Sequence, residues 1–371
     1  MAASGTIGDD AAAPPSRGAR PLVIAYFAVF AALVLFGIAV VLFGDPRAGD
    51  PVIRMHLAQT PGRAAAVQAH PLAALPAPPP LNPAAPGETP VPPAIVPPTV
   101  TQSIYAGRAL VADPALIEAT DNGPLPKIAA DGTPPMRAYA APSFDNGKPR
   151  IAIVISGLGM SAKQTAVALA SLPSAVTLAF APYASDVQRW VAEARREGHE
   201  VLLEVPMEPF DFPDSDPGSH TLRSGAGEDS NTERLVWALT RFTGYTGVTN
   251  LLGGRFLSDP DSLEPVMTYL SRRGLLFYDN GVASHSAAPD VAARAGTSFA
   301  QATSTIDKIQ TAMEIDRELS ELENSARAHG TASGSGFLYP VTVERVAQWA
   351  QGLPSRGFVL VPASAIVLPK K

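Results

Sequence analysis

From residue 151 onward, short apolar runs alternate along the chain with segments whose apolar residues recur at helical spacing. Ile151–Ile155 is an unbroken apolar run rich in β-branched residues, which is typical of a strand buried on both faces. Five more runs are predicted to be strands for the same reason: Val176–Phe180, Val201–Val205, Gly247–Thr249, Leu275–Tyr278 and Phe358–Val361. The alternation predicts a parallel sheet, either doubly wound or closed as a barrel, with functional residues at the carboxyl ends of the strands.

The segments between these strands carry the start and stop signals of helices. Two are capping boxes and a third is an Asp followed by Pro, namely Ser185-x-x-Gln188, Ser230-x-x-Glu233 and Asp259-Pro260. A stripe of apolar residues from Ile315 to Ala326 predicts a long helix that ends at Gly330. These stripes are interpreted as core-facing surfaces rather than as cofactor sites.

The segment from Pro21 to Gly44 contains no charged residue and is dominated by Leu, Val, Ile, Phe and Ala. As a helix it would reach about 36 Å, enough to cross a hydrocarbon core of roughly 30 Å. A cleavable signal peptide is the alternative, but Asp45-Pro46-Arg47 follows instead of a small-residue cleavage site. We therefore expect residues 1–20 to be a cytoplasmic tail and residues 21–44 to be a retained transmembrane anchor.

Residues 45–100 are predicted to be a disordered linker, since positions 71–100 hold twelve prolines mixed with Ala. Such a composition favours polyproline II at about 3 Å per residue, so this stretch can span on the order of 90 Å. An SH3-type ligand is the alternative, although the flanking basic residues that it needs are missing. The spacer favours a single-pass inner-membrane protein whose carboxyl-terminal domain lies in the periplasm, with residues 101–150 as a lead-in segment.

Composition narrows the classes of function. The net charge of −6 and the pI near 5.6 argue against a nucleic-acid partner, because neutralising phosphates needs a basic surface. The absence of cysteine excludes disulfides, thiolate metal sites and a Cys nucleophile.

One short motif at the first strand has two readings. Gly157-Leu-Gly159-Met-Ser-Ala162 fits the G-x-G-x-x-A pattern, in which glycines let a pyrophosphate approach a helix N-terminus. The acidic residue expected at the end of the second strand is missing, because that position reads Phe180-Ala-Pro-Tyr183. The other reading, in which both glycines simply close the turn, is therefore preferred.

Four segments at predicted strand ends occur in the same order as the motifs of a known family. They are Ile151–Gly159, Val205–Gly218, Gly247–Phe256 and Gly336–Pro340, with individual matches at Asn250, Gly253, Arg255 and Phe256. Over about residues 150–365 the chain resembles the divergent polysaccharide deacetylases, a bacterial envelope family distantly related to the NodB-type carbohydrate esterases. The resemblance implies that residues 151–368 form an irregular (β/α) barrel of about seven strands.

The resemblance also implies a metal-dependent chemistry whose residues this chain has largely replaced. In the family an Asp acts as general base, and a second Asp with two His holds a divalent metal such as zinc, which polarises an acetamide carbonyl and activates water. Ser156-Gly157 stand where the two Asp are expected, and Leu251 and Phe337 stand where the His are expected. We therefore expect no metal ligands and no cofactor.

Some residues of suitable chemistry remain near the predicted strand ends. Asp279 matches a family Asp, and His285 follows it, so these two are the candidate catalytic residues. The candidate substrate-binding residues are Ser156, Tyr183, Glu208, Asp211, Asn250 and Arg255. Glu208 and Asp211 belong to an acidic, aromatic loop of residue types that bind sugars, and an ordered lid is the alternative. A glycosidase pair drawn from Glu204, Glu208 and Asp279 stays open, because sequence does not give carboxylate separations.

The resulting hypothesis is a membrane-anchored, deacetylase-like protein that binds a cell-envelope polysaccharide or peptidoglycan glycan without catalysis. Two alternatives remain from other classes. An active deacetylase with an altered site predicts that Asp279→Ala and His285→Ala abolish turnover. A scaffold for an envelope protein complex predicts binding that depends on a partner protein and not on added glycan.

Overall fold

A computed structural model describes residues 112–143 and 146–367, and its centre is a parallel sheet that curves into an incomplete barrel. Within those residues the sheet has nine strands in the order β8-β7-β6-β5-β4-β3-β10-β9, and β11 also pairs with β3. The strands are β3 (Arg150–Leu158), β4 (Thr177–Phe180), β5 (Val201–Met207), β6 (Gly247–Leu252), β7 (Leu276–Asp279), β8 (Ser298–Gln301), β9 (Ser304–Thr305), β10 (Thr331–Phe337) and β11 (Val359–Val361). The predicted (β/α) barrel architecture is confirmed, and its sheet has nine strands in the described residues where about seven were expected.

The segment between β8 and β9 brings the two edges of the sheet together. Ala302 N donates to Asp279 O on β7 at 2.8 Å, and Thr303 N donates to Ser333 O on β10 at 2.6 Å. Inside the barrel, the hydroxyl groups of Tyr278 and Ser333 are hydrogen-bonded at 2.7 Å. The sheet edges therefore meet through these contacts rather than through a continuous ladder.

Helices cover the outer face of the sheet in the described part of the chain. They are α1 (Pro135–Ala138), α2 (Ala162–Ser171), α3 (Val187–Arg196), α4 (Glu228–Leu239), α5 (Pro260–Arg272), α6 (Ala288–Ala295), α7 (Ala312–His329) and α8 (Pro340–Gly352). The larger apolar cluster lies between these helices and the strands, whereas a smaller cluster that includes Val154, Leu202 and Tyr278 fills the barrel interior. Strands covered on both sides need apolar residues at nearly every position, which explains the continuous runs in the sequence.

Two of the predicted helix boundaries are confirmed and two are wrong. Asp259 caps α5 by accepting from Ser262 N at 3.3 Å, and α7 ends at Gly330 with φ +80°. The capping box at Ser185 is not formed, because α3 begins at Val187 after Asp186. The box at Ser230 lies inside α4, which begins two residues earlier at Glu228. Acidic residues occupy its first turn, a position that the helix dipole favours.

Strand β10 was not predicted, because its sequence reads as a flexible Gly/Ser segment. Its glycines serve close packing. A Cβ at Gly334 would lie 2.6 Å from Leu322 Cδ1 of α7 and 3.0 Å from Ile153 Cδ1 of β3. The strand therefore needs a residue without a side chain where the helix crosses it, a requirement that local propensity does not express.

The described part of the lead-in covers the amino-terminal edge of the sheet. It contains a hairpin of β1 (Ile117–Thr120) and β2 (Gly123–Pro126), followed by α1. Glu118 pairs with Arg273, and Met136 N donates to Gly274 O at 3.1 Å, both just before β7. This edge is opposite the one where the strands end, so the lead-in leaves the carboxyl ends accessible.

Several predictions fall on residues that the structure does not describe. The cytoplasmic tail 1–20, the anchor 21–44, the linker 45–100 and the first part of the lead-in all lie outside the described residues. Among residues 112–143 and 146–367, none of the helices combines the length and the hydropathy needed to cross a bilayer.

Candidate functional site

A cleft of about 480 Å³ opens at the carboxyl ends of the strands. Its walls come from the ends of β3, β5, β6 and β10 and from the segments after β4 and β7. Three of the predicted substrate-binding residues, Ser156, Tyr183 and Asn250, line it. Phe337 and Tyr339 add aromatic rings, with centroids 5.1 Å apart. The cleft at the strand ends therefore contains both polar and aromatic side chains.

Gly157 and Phe337 pack directly against each other in the cleft. Gly157 has φ +86°, and a Cβ added to it would lie 2.7 Å from Cε2 of the Phe337 ring. These are two of the positions where the resemblance places metal-binding side chains. The ring of Phe337 therefore occupies the space that a side chain at residue 157 would need.

This packing also decides between the two readings of the glycine motif. Gly159 has φ +88°, and its N–H donates to Thr165 Oγ1 at 2.9 Å, so it closes the turn onto α2. The aromatic ring over Gly157 blocks the backbone approach that a pyrophosphate would require. The glycines are structural, as preferred from the sequence.

Glu204 on β5 is the most unusual polar group of the cleft. Its side chain is 1 % exposed, Oε1 accepts the N–H of Gly157, and Oε2 has no hydrogen-bond partner among the described residues. Burial raises the pKa of Glu204 to about 8, against the lowering effect of the Gly157 N–H. Sequence reasoning considered this residue only for a glycosidase pair. The signal that it gave was a lone acidic residue within the apolar run Val201–Val205.

Asn250 joins the ends of β6 and β7. Its Oδ1 accepts from Asn280 N at 3.0 Å, and its Nδ2 donates to Asn280 Oδ1 at 2.8 Å. The side-chain amide of Asn280 in turn donates to Asn250 O at 2.9 Å. The two side chains fix the edge of the cleft and leave few of their bonding positions for a ligand.

Tyr183 connects the cleft to the loop that follows β5. Its hydroxyl accepts from His220 N at 3.1 Å, its ring centroid is 5.0 Å from that of Trp237, and burial raises its pKa. A Cβ at Gly218 would lie 2.7 Å from Cε2 of the Tyr183 ring, so the loop lies close against the ring. Tyr183 therefore lines the cleft and also supports one wall.

The other three predicted substrate-binding residues do not line the cleft. Glu208 Oε2 accepts from Ser224 N at 2.7 Å, and Oε1 lies 3.5 Å from Nη1 of Arg255. Asp211 is exposed and accepts from Ser215 Oγ at 2.6 Å within the same loop. These contacts support the alternative reading of the acidic segment as an ordered loop stabilised by its own polar groups.

The two candidate catalytic residues lie outside the cleft lining. Asp279 is fully buried at the end of β7, where Oδ1 accepts from Gly281 N at 2.9 Å and Oδ2 from Gln301 Nε2 at 3.1 Å. His285 is exposed in the segment between β7 and α6. Of the three carboxylates considered for a glycosidase pair, only Glu204 lines the cleft.

The residues at the strand ends do not fit a divalent metal centre. Within residues 112–143 and 146–367, no group of three His, Cys, Asp or Glu side chains lies close enough to share a metal ion. At the family's ligand positions, Ser156 offers a single hydroxyl, and Leu251 and Phe337 offer no lone pair. A zinc site needs three or four nitrogen, sulfur or carboxylate ligands, so this donor set is insufficient.

Comparison with known proteins agrees with this fold. An uncharacterized protein from Agrobacterium tumefaciens C58, known by its crystal structure, is 40% identical, with a TM-score of 0.65 over 66% of this chain and 100% of that chain. The uncharacterized protein YibQ of Escherichia coli is 27% identical over 59% of this chain and 67% of its own length. An uncharacterized protein of Haemophilus influenzae is 25% identical over 57% of this chain and 75% of its own length.

The family model of the divergent polysaccharide deacetylases matches residues 153–367, from the first long strand of the barrel to the last described residue. The match spans more than half of the chain and covers every wall of the strand-end cleft. The chain belongs to the divergent polysaccharide deacetylase family.

Proposed function

We propose that this protein binds a cell-envelope glycan, such as the glycan of peptidoglycan, in the strand-end cleft without deacetylating it. The observation that carries the proposal is the contact between Phe337 and Gly157, in which an aromatic ring occupies the space of the side chain that the family carries at residue 157. Family membership supports a carbohydrate as the ligand. Aromatic side chains at the cleft, Tyr183, Phe337 and Tyr339, offer the apolar surface on which sugar rings pack.

The proposed place of action is the periplasmic face of the inner membrane. The uncharged segment from Pro21 to Gly44 supports an anchor, and the Pro-rich stretch 71–100 supports a spacer that carries the domain toward the cell wall. A glycan-binding module held in this way would link the membrane to the envelope polysaccharide. This arrangement requires no metal and no cofactor.

Replacing Tyr339 by alanine is expected to weaken binding to purified peptidoglycan by about two- to tenfold, since a packed aromatic contact contributes about 0.5–1.5 kcal/mol. The measurement is co-sedimentation of the full-length chain, purified in a non-ionic detergent, with insoluble peptidoglycan. Asp211→Ala is the matched control, because Asp211 is exposed and lies outside the cleft. We expect this variant to bind like the unchanged protein. Equal binding by both variants, or binding that depends on an added envelope protein, would contradict the proposal.

The full-length protein is expected to retain well under one equivalent of divalent metal after dialysis, as measured by elemental mass spectrometry. A chelator should leave peptidoglycan binding unchanged, because the side chains that line the cleft in the described part of the chain supply no suitable ligand set. Adding zinc should likewise leave acetate release from acetylated chitooligosaccharides at the background rate. Near-stoichiometric zinc, or acetate release that chelation abolishes, would contradict the proposal and favour a deacetylase with an altered site.

A further inference from the structure

The floor of the strand-end cleft contains a buried carboxyl group with one oxygen unused. Glu204 uses Oε1 to accept the N–H of Gly157, while Oε2 is buried without a partner among the described residues. Burying a polar group without a hydrogen bond costs free energy, and buried polar groups in proteins are almost always paired. An unused carboxyl oxygen beside a cleft therefore indicates a partner that does not belong to the chain.

We propose that Glu204 is the residue that holds a neutral sugar in this cleft, by donating a hydrogen bond from its unused carboxyl oxygen to an oxygen of the sugar. The inference rests on the proposed glycan-binding function and adds the group that recognises the glycan. The lining of the cleft also restricts the charge of the ligand. Among the described residues, no Lys, Arg or His lines the cleft to neutralise an anion, so a sugar without a charged substituent is the chemistry that fits.

The protonation state of Glu204 suits this role. Burial raises its pKa to about 8, so at neutral pH the carboxyl group is largely protonated and can donate. Other titratable groups face the cleft or lie near it on the neighbouring strands: Asp216, Tyr183 and Tyr339 line it, and Tyr278 and Asp279 end β7 beyond β6. None of these supplies a positive charge that would stabilise a Glu204 carboxylate.

A buried water molecule is the competing explanation for the unused oxygen. Thr249 of β6 is the register partner of Glu204, and its Oγ1 is also buried without a hydrogen-bond partner in the described part of the chain. One water molecule between the two groups would satisfy both, as buried waters commonly do. In that case Glu204 would be structural, and its ionisation would change stability without changing sugar binding.

The test is the pH dependence of binding of tetra-N-acetylchitotetraose, a neutral oligosaccharide, to the full-length chain in non-ionic detergent by isothermal titration calorimetry. We expect the affinity to be constant on the acidic side and to fall about tenfold per pH unit above about pH 8, because only the protonated carboxyl donates. Glu204→Gln keeps a donor of similar shape and does not titrate. Its binding should therefore persist and become independent of pH.

The second carboxylate of the cleft provides the matched control. Asp216→Asn removes the other acidic side chain that lines the cleft, and the decrease in affinity above pH 8 should remain. Binding that is flat with pH in the unchanged protein, or that keeps the same slope in Glu204→Gln, would overturn the role of Glu204 while leaving glycan binding intact. A failure to bind either tetra-N-acetylchitotetraose or peptidoglycan at any pH would contradict the proposed function itself, and this inference with it.

Discussion

Replacing Glu200 by alanine is expected to lower the free energy of unfolding by roughly 3–6 kcal/mol, because it leaves several buried donors without an acceptor. The carboxylate of Glu200 is fully buried just before β5. It accepts from Ser364 N at 2.9 Å, from the hydroxyl of the same residue, and from Ala141 N at 3.2 Å. Thr177 Oγ1 is a further donor at 3.4 Å. The residue thus joins the lead-in, the start of β4 and the carboxyl-terminal segment at the amino-terminal edge of the barrel.

The measurement is urea denaturation of the full-length chain, followed by circular dichroism. Glu197→Ala is the matched control: this residue lies three positions earlier, is half-exposed, and pairs with Arg196 at 3.5 Å. Its removal should change stability by less than about 0.5 kcal/mol, as for most exposed ion pairs. A loss below about 1 kcal/mol for Glu200→Ala would show that the donors find other acceptors and that this cluster does not hold the segments together.

Burial also raises the pKa of Glu200, which adds a pH signature to the same experiment. A carboxyl group with a raised folded-state pKa binds more protons in the folded than in the unfolded protein over the interval between the two pKa values. The contribution of Glu200 to the free energy of unfolding is therefore largest at low pH. It declines as the pH rises above the pKa of the group in the unfolded protein. Glu204 contributes in the same direction, so the pH slope of stability should be shallower in Glu200→Ala but should not vanish.

The predictable parts of the fold are those that local sequence determines. The apolar run at Ile151–Ile155 predicted the core of β3, and Asp259 before a proline predicted the start of α5, because both signals involve only neighbouring residues. Strand β10 could not be recognised in this way. Its glycines at 334 and 336 are required by side chains of β3, α7 and α8 and by Ile306 just after β9. Most of these contacts come from residues that are distant in sequence.

The candidate site likewise contains residues that local sequence predicts and residues whose placement depends on distant contacts. Ser156, Tyr183 and Asn250 were predicted because they lie at or shortly after the ends of strands, and all three line the cleft. Glu208 follows β5 just as directly, yet its backbone bonds to Leu222 and its side chain turns to Ser224 and Arg255. The direction of that loop depends on contacts with residues far along the chain, which the sequence pattern does not reveal.

Gly157→Ala is expected to destabilise the protein by about 3 kcal/mol, through backbone strain at φ +86° and overlap of the new Cβ with the ring of Phe337. Gly132→Ala is the control that separates backbone strain from side-chain overlap. Gly132 has φ +85°, and no atom lies within 4 Å of the position of an added Cβ. That control should cost only about 1 kcal/mol. The measurement is again urea denaturation of the full-length chain.

The double variant Gly157→Ala/Phe337→Ala tests whether the two positions depend on each other. Removing the ring also removes the overlap, so the combined loss should be smaller than the sum of the single losses by about 1–3 kcal/mol. Such coupling would mean that Gly157, which stands in place of a family Asp, and Phe337, which stands in place of a family His, pack as one unit. Restoring the family's Asp at residue 157 would then require changing Phe337 as well. Additive losses would instead show that the ring can turn away from Gly157 at little cost, so that it would not exclude a side chain at residue 157.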